Sequence, residues 1–465
     1  RPILLLKKKN CNIAESVAPN NKRLGAMIAY TPLHHILLKK FEKRTKNFPP
    51  VLVMTSANFS EEPIEITNEG ANQRLSEVAD GFLFHNRDIL IRADDSVAMF
   101  VNNKPRIIRR SRGFVPRPFF TKKKGVAILG VGAELKNTIC LLKDDQAFVS
   151  QHIGDLTNYS AHKFFKETIA YQQKIIDYKA EYVGYDLHPD YLSTRWAKEE
   201  SELPSFGVQH HHAHMAACMG EHNIENDVIG IILDGTGYGI DGTIWGGEIL
   251  VGGFTKVKRY SHIETIPLPG GDAAIKEPWR IAVSYLYHAF DGKLPPLYFL
   301  NKRNIEIVLQ MLAKKINCPL TSSAGRLFDA VSVICGGPET IRYEAQAAIE
   351  LMQKVETMDV EPYSVDEDET GQKFIPIKSL IKKIVDDLNN GTSSSTISAR
   401  FHKTLAQLLI KKAEQARKEY NVNDVVLSGG VFQNEILLEL MENELQLKGF
   451  NVHSHSKIPT NDGGI

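Results

Sequence analysis

Val228-Ile229-Gly230-Ile231-Ile232-Leu233-Asp234-Gly235-Thr236-Gly237-Tyr238-Gly239 is the stretch that decides how the rest of the chain is read. Its first six residues are an unbroken apolar run bounded by turn residues, which predicts a strand buried on both faces. That strand delivers Asp234 into a glycine hairpin, and Thr243-Ile244-Trp245-Gly246-Gly247-Glu248-Ile249-Leu250 returns as the next strand. The same pattern occurs earlier: strand Val126-Ala127-Ile128-Leu129, turn Gly130-Val131-Gly132-Ala133-Glu134-Leu135-Lys136-Asn137-Thr138, return strand Ile139-Cys140-Leu141-Leu142. Two such units about a hundred residues apart predict a duplicated fold. A glycine turn carrying a lysine can cradle phosphate through backbone amides and an ammonium, although most such hairpins bind nothing.

Just before the strand stands Val208-Gln209-His210-His211-His212-Ala213-His214-Met215-Ala216-Ala217-Cys218. On a helix, His210 and His214 sit one turn apart on one face, a spacing that lets two imidazoles share a metal ion. The same pair on a solvated face would be two ordinary polar residues. Asp234, arriving from the neighbouring strand end, adds a carboxylate and favours the metal.

The 465 residues suggest about two to four domains with sizeable cores. A hydrophobic content of 43% and a charged content of 24% are those of an ordinary soluble protein. The net charge of +1 predicts no broad electrostatic attraction to nucleic acid or to a membrane. Cys11, Cys140, Cys218, Cys318 and Cys335 include no CxxC pair, which suggests reduced thiols in the cytoplasm. No leader or spanning segment is expected. The chain opens on Arg1-Pro2-Ile3-Leu4-Leu5-Leu6, which reads as a strand, and closes on Asp462-Gly463-Gly464-Ile465; a piece of a longer protein is expected.

Residues 1–120 read as a first α/β unit. Tyr30-Thr31-Pro32-Leu33-His34-His35 starts a helix with proline in its first turn. Val51-Leu52-Val53-Met54 is expected as a buried strand that ends in Thr55-Ser56-Ala57-Asn58-Phe59-Ser60, where Ser56 and Asn58 are placed to hold phosphate or ribose. A plain strand-to-helix turn would look the same. Arg109-Arg110-Ser111-Arg112-Gly113 gathers three arginines at a strand end, suited to phosphate oxygens or to a solvated basic edge. Pro116-Arg117-Pro118 and Lys122-Lys123-Lys124 are read as a linker.

Further on, Lys276-Glu277-Pro278-Trp279-Arg280 precedes a helix. Lys276 and Arg280, spaced i, i+4, would share a face on a helical turn and meet one anion. Thr321-Ser322-Ser323-Ala324-Gly325-Arg326-Leu327-Phe328-Asp329 gives small residues and then a helix from which Asp329 can reach a ribose. Residues 355–375 read as an acidic surface insertion. A helix over 397–420 follows, with Leu405, Leu408 and Leu409 on its apolar face. Asp424-Val425-Val426-Leu427 is then a buried strand running into Ser428-Gly429-Gly430-Val431-Phe432-Gln433-Asn434.

The motifs around Tyr30, Ser56 and Arg109 resemble the later part of the YrdC-like domain, which binds ATP and makes acyl-type adenylates of carbamate or threonylcarbamate. The two glycine hairpins and the Ser428–Asn434 turn resemble the actin-like ATPase superfamily. Together, with at least seven motifs in family order, the chain resembles the HypF family of hydrogenase-maturation carbamoyltransferases. The implied fold is α/β: a partial YrdC-like α/β domain over 1–120, then a transferase domain of duplicated actin-like ATPase (ASKHA) fold over 125–465, in lobes 125–227 and 228–465. The family's acylphosphatase domain and four-cysteine modules fall outside this sequence.

The resemblance implies metal ligands at His210, His214, Asp234 and Asp462 holding iron or zinc. Ser56, Asn58, Arg109, Arg110 and Arg112 would bind ATP and its Mg2+ in the first domain. In the second, Lys136, Asn137, Gly235, Thr236 and Gly237 would meet phosphate, with adenine towards Gly325, Asp329, Ser428, Gly429, Gly430 and Asn434. Lys276, Arg280 and Asp234 would act in transfer. The implied chemistry is a carbamoyl adenylate made from ATP and carbamoyl phosphate or carbamate. Its carbamoyl group would pass to the C-terminal cysteine of a HypE-like partner. Three competing readings are weaker: a tRNA threonylcarbamoyl transferase, which the absence of a basic stripe disfavours; a small-molecule O-carbamoyltransferase, which the domain order disfavours; and a nucleotide-binding switch, which the histidines and the first domain disfavour.

Overall fold

The structure, a computed structural model, describes residues 2–9, 13–46, 50–59, 62–302, 304–365 and 373–465. Arg1, Cys11, Ser60 and the middle of the acidic segment, 366–372, lie outside the described residues. The chain divides into two compact units, Arg1–Gly207 with Ser456–Gly463 and Ile465, and Val208–His455 with Gly464.

The first unit opens with β1 (Ile3–Lys7), β2 (Arg23–Ala26), α1 (Pro32–Arg44), α2 (Asn68–Leu75), β3 (Val97–Val101) and β4 (Lys104–Arg109). The strands form a sheet in the order β2-β1-β3-β4, with only β1 and β3 parallel. α1 begins as the sequence predicts: the Thr31 hydroxyl accepts the His34 N–H at 3.2 Å, and Pro32 takes the first helical position, where a missing N–H costs nothing. The expected strand at Val51–Met54 does not form. Val51, Val53 and Met54 are 58%, 78% and 52% exposed, and among the described residues no strand pairs with this run. An apolar run becomes a buried strand only if its backbone finds a ladder and its faces find cover.

The same unit continues with β5 (Phe119–Gly130), β6 (Cys140–Val149), α3 (Tyr159–Ile176), β7 (Tyr182–Asp186), α4 (Leu192–Arg195) and β8 (Ser205–Val208) in a sheet ordered β6-β5-β7-β8. β5 and β6 are the first predicted hairpin, antiparallel, with Gly130 opposite Cys140. The linker expected over 116–124 is corrected here. β5 already begins at Phe119, because the long return strand supplies ladder partners on either side of the lysine run, Ala147 to Phe119 and Asp144 to Gly125. Phe164, Phe165 and Ile169 of α3 pack on Leu129, Leu141 and Val183 of the sheet.

The second unit contains α5 (His210–His222), β9 (Val228–Tyr238), β10 (Ile244–Gly252), β11 (Val257–Ile263), β12 (Ile266–Pro267), α6 (Asp272–Lys276), α7 (Pro278–Ala289), α8 (Glu306–Lys314), β13 (Leu320–Thr321) and α9 (Ala324–Ile334). It ends with α10 (Gln346–Lys354), β14 (Phe374–Ile375), α11 (Lys378–Asn389), α12 (Ser394–Tyr420), β15 (Asp424–Ser428), α13 (Glu435–Leu447) and β16 (Asn451–Ser454). β9 lies between β10, antiparallel, and β15, parallel, and β16 extends β15 in parallel. Residues 228–234 are all buried, as the unbroken apolar run requires. α5 covers this part of the sheet: Met215, Cys218 and Met219 pack with Val228, Ile232, Leu250 and Val426. The Ser393 hydroxyl caps α12, and Leu405, Leu408 and Leu409 are buried on it. The insertion expected over 355–375 is not wholly on the surface: Tyr363 is buried, with its hydroxyl donating to Asp387 at 2.8 Å, and Ile375 joins β14. Among the described residues no helix is long and apolar enough to cross a membrane.

Candidate metal centre and nucleotide turns

α5 starts where Gln209 caps it, its side-chain oxygen accepting the His212 N–H at 2.9 Å. The cap fixes the phase of the histidines. His210, His211 and His214 turn inward and are fully buried, whereas the ring of His212 reaches the Gly253 carbonyl at 2.8 Å. β9 brings Asp234 beneath the helix. Its Oδ2 lies 3.2 Å from His210 Nε2 and 3.7 Å from His214 Nε2, and its Oδ1 accepts the Gly430 N–H at 3.0 Å. Burial alone would raise the Asp234 carboxyl, but its hydrogen bond with His210 and the nearby His214 ring outweigh that and hold it well below the usual carboxylate range. His210, His214 and Asp234 each offer one ligand atom, all within 4.8 Å of one another. Two imidazole nitrogens and one carboxylate oxygen, buried and convergent, are the donor chemistry of a borderline divalent ion, so these residues fit one. Asp462 belongs to the first unit, and its place among the ligands remains what the resemblance implies.

β15 ends at Ser428, opposite Ile232 of its longer parallel neighbour β9, which brings Asp234, two residues on, beside the turn after Ser428. Gly429, at φ +102°, passes so close to β9 that a Cβ there would fall 2.2 Å from the Leu233 carbonyl oxygen. A Cβ on Gly325 would likewise stand 3.0 Å from the Gly235 Cα. The Ser323 hydroxyl locks this contact by donating to the Gly235 carbonyl at 2.7 Å and accepting the Arg326 N–H at 3.1 Å. Gly235, Gly325, Gly429 and Gly430 are thus gathered at one place in the second unit.

Other predicted residues are already engaged. Asp329 is buried and paired with Arg326 at 3.2 Å, and burial raises its carboxyl, so no side-chain oxygen is turned out towards a ribose. Asn434 uses both ends of its amide, capping α13 through the Leu437 N–H at 3.1 Å and meeting His402 Nε2 at 2.9 Å. Ser428 is fully buried and its hydroxyl faces His214 and His455. The helix-face argument for Lys276 and Arg280 is corrected. Lys276 ends α6 and Arg280 lies in α7, with Glu277 between them at φ −123°, ψ 72°. Arg280 pairs with Glu277 instead.

In the first unit Asn137 is fully buried and donates to the Val131 and Ala133 carbonyls at 2.9 and 2.6 Å, which makes it a staple of its own turn. Lys136 takes a left-handed φ of 48°, its N–H donating to Asp155 at 2.7 Å. His152 is held neutral, down to about 3, first by burial and then by the charges of Arg109 and Lys136, so these two cations share one neighbourhood. Arg110 is not an available phosphate ligand. It is buried and donates to the carbonyls of Val149, Phe114 and Arg117 at 2.9, 3.0 and 2.7 Å, and burial lowers it to about 10. Arg109 donates to the Asp95 carbonyl at 3.0 Å. Arg112 joins two of the predicted motifs, donating to the Tyr30 hydroxyl at 2.7 Å while its side chain stays 49% exposed. Ser56 is exposed, and Asn58 is tied to the Phe59 and Glu62 carbonyls at 2.8 and 2.9 Å.

Sequence reasoning missed the supports of the centre. Glu248, fully buried, accepts the Gly246 and Gly247 N–H groups at 3.1 and 3.2 Å and Arg259 Nε at 2.6 Å, and so braces the hairpin from below. Glu221 and His455 lie behind His214. Glu248 stands as the one charged residue in the run 243–252, a visible signal, but nothing in the sequence joins Glu221 to His455.

Three family models match consecutive stretches of the chain. They are the telomere recombination (Sua5, YciO, YrdC) family over residues 1–111, the HypF Kae1-like domain over 123–221, and the second subdomain of the carbamoyltransferase Kae1-like domain over 230–465. The carbamoyltransferase HypF of Synechocystis sp. is 39% identical across the whole chain, which spans 62% of that protein's length. A carbamoyltransferase HypF homolog of Cupriavidus necator is 33% identical over 73% of this chain and 89% of its own. A crystal structure of full-length HypF in the phosphate- and nucleotide-bound form is 41% identical, with a TM-score of 0.92 over all of this chain and 72% of that one. The fold is α/β, a YrdC-like part followed by Kae1-like domains.

Proposed function

This chain belongs to the HypF family of carbamoyltransferases, and we propose that it carries the carbamoyl-transferring part of that family's activity in [NiFe]-hydrogenase maturation. The curated relatives it matches are longer, the chain spanning about three fifths of them, so substrate and partner are argued from chemistry. The reading is carried by one observation, the buried donor set of His210, His214 and Asp234 at the mouth of a glycine-lined turn.

In the proposed reaction an oxygen of carbamate attacks the α-phosphorus of ATP and pyrophosphate leaves, which gives carbamoyl adenylate. A cysteine thiolate then attacks the carbamoyl carbon, AMP leaves with the bonding pair, and a thiocarbamate remains. The acceptor is the C-terminal cysteine of a HypE-like protein. ATP, with Mg2+, enters the first step beside Arg109 and Arg112, whose guanidinium groups can neutralise its phosphates. Iron or zinc, held by His210, His214 and Asp234 with Asp462 from the family pattern, would supply charge for the adenylate phosphate and polarise the carbonyl. The glycines on either side of Thr236, Gly235 and Gly237, let the backbone approach the phosphate closely. The protein supplies no covalent nucleophile. Its residues bind, orient and keep water from a labile mixed anhydride.

The test is a single-turnover assay with this chain, ATP, carbamoyl phosphate or carbamate, and the thiol partner. Mass spectrometry should find one carbamoyl group on the partner's terminal cysteine, with AMP formed in equal amount. Formation of ADP and phosphate with an unmodified partner would defeat the proposal.

A further inference from the structure

We propose that Glu221 and His455 are positioning residues for the metal-binding imidazole of His214, acting through Ser428. The inference rests on the reading that His210, His214 and Asp234 take a divalent ion.

Four side chains from three segments line up behind the centre. α5 carries His214 and, two turns on along the same face, Glu221. β15 ends on Ser428, and its parallel neighbour β16 delivers His455 just past its own end. Ser428 Oγ lies 3.3 Å from His214 Nδ1 and 2.9 Å from His455 Nε2, and His455 Nδ1 lies 3.0 Å from Glu221 Oε2. His214 and Ser428 are fully buried, and His455 and Glu221 are 4% and 9% exposed. In so dry a setting hydrogen-bond polarity decides what each group can do.

The polarity can be followed from the outer end. A carboxylate only accepts, so His455 Nδ1–H donates to Glu221. The other nitrogen of His455 then serves as the acceptor, and the Ser428 hydroxyl donates to it. The Ser428 oxygen keeps a lone pair, which takes the proton of His214 Nδ1–H. His214 Nε2, 3.7 Å from Asp234 Oδ2, is thereby left with its lone pair for the ion that the two would share. A free imidazole divides its proton between both nitrogens and turns about its side-chain bonds. Here the relay fixes the tautomer, fixes the ring, and raises the basicity of the coordinating nitrogen. The order serine, histidine, carboxylate also occurs in nucleophilic catalysis. Here the serine is sealed from solvent and faces an imidazole, so its hydroxyl has no path to a substrate.

Zinc is the probe. Wild-type protein, Glu221→Gln and Ser428→Ala are titrated with zinc against a competing chelator, and proton resonances of histidine-15N protein are recorded in the zinc-loaded state. Both variants should bind zinc about 10–100-fold more weakly. The His214 Nδ1–H resonance should be protected from exchange in the wild type, shift in Glu221→Gln, and broaden away in Ser428→Ala. Zinc affinity within twofold of wild type together with an unmoved resonance in both variants would overturn the relay and leave the metal centre intact. Wild-type protein that binds no zinc overturns the metal reading and the relay with it. Should Ser428→Ala fail to fold, the wild-type resonance and the isosteric Glu221→Gln still decide the matter.

Discussion

A Cβ on Gly237 would stand 2.7 Å from His210 Cδ2, nearer than a side-chain carbon is tolerated, and 2.4 Å from His211 Cε1. This glycine therefore clears space for the imidazoles above the hairpin, whatever it also does for phosphate. Gly237→Ala should push His210 out of line with Asp234. The expected result is weaker zinc binding together with a loss of about 1–3 kcal/mol in urea unfolding, the usual range for overpacking. Calorimetric titration and chemical denaturation check both, and unaltered zinc affinity would show that the hairpin yields instead of the histidines.

The three arginines of the first unit should separate. Arg110 is buried and donates to three carbonyls, so Arg110→Ala should cost on the order of 3 kcal/mol of stability and leave ATP affinity of the folded protein unchanged. Arg112 is half in solvent, and Arg112→Ala should weaken ATP binding by about 1.5–3 kcal/mol with little effect on unfolding. Calorimetry with ATP and urea melts on both variants decide this. The reverse pattern would return Arg110 to the nucleotide.

His402 supplies a pH dependence. Its Nδ1–H donates to the Ser398 carbonyl at 2.7 Å and its Nε2 accepts from Asn434, so the ring is neutral, and burial lowers it to about 4. An unfolded chain takes up this proton near pH 6.5, whereas the folded protein resists it until about 4. Stability from this residue is therefore complete above pH 6.5, lost as pH falls towards 4, and flat below. Between pH 7.5 and 5 the loss should be about 2 kcal/mol. Measured against His402→Gln, which does not titrate, the wild-type advantage should shrink by that amount, and a constant difference would contradict it.

The sequence is informative wherever one segment determines the outcome by itself. The run at 228–233 is apolar throughout and became the buried centre of a sheet, and His210 and His214 needed only helical spacing and a cap at Gln209 to converge. It is silent where the outcome depends on a distant partner. Val51–Met54 has a strand's composition and no ladder to join. Arg110 and Arg112 look alike in sequence, yet one is enclosed by the carbonyls of Phe114, Arg117 and Val149 and the other stands at a surface. Asp329 reads as able to reach a ribose because nothing in a linear reading weighs the ion pair with Arg326 against exposure.

Lys276 and Arg280 test how the transfer step is assembled. The non-helical Glu277 between them puts the two cations on separate helices, one exposed at the end of α6, the other paired with Glu277 and lying over the Trp279 ring at 4.9 Å. Two side chains gripping one anion from a single helical face would show strongly non-additive losses. Cations on separate helices, each meeting its own oxygen, should lose independently. With preformed carbamoyl adenylate and the thiol partner, Lys276→Ala and Arg280→Ala should each slow single-turnover transfer about tenfold, and the double variant about 100-fold, equivalent to about 3 kcal/mol. Adenylate formation from ATP should be unaffected, because that step is assigned to the first domain. If the double variant transfers at the wild-type rate, the segment serves only the helix junction. If it is no slower than the worse single variant, the two cations act on one group after all.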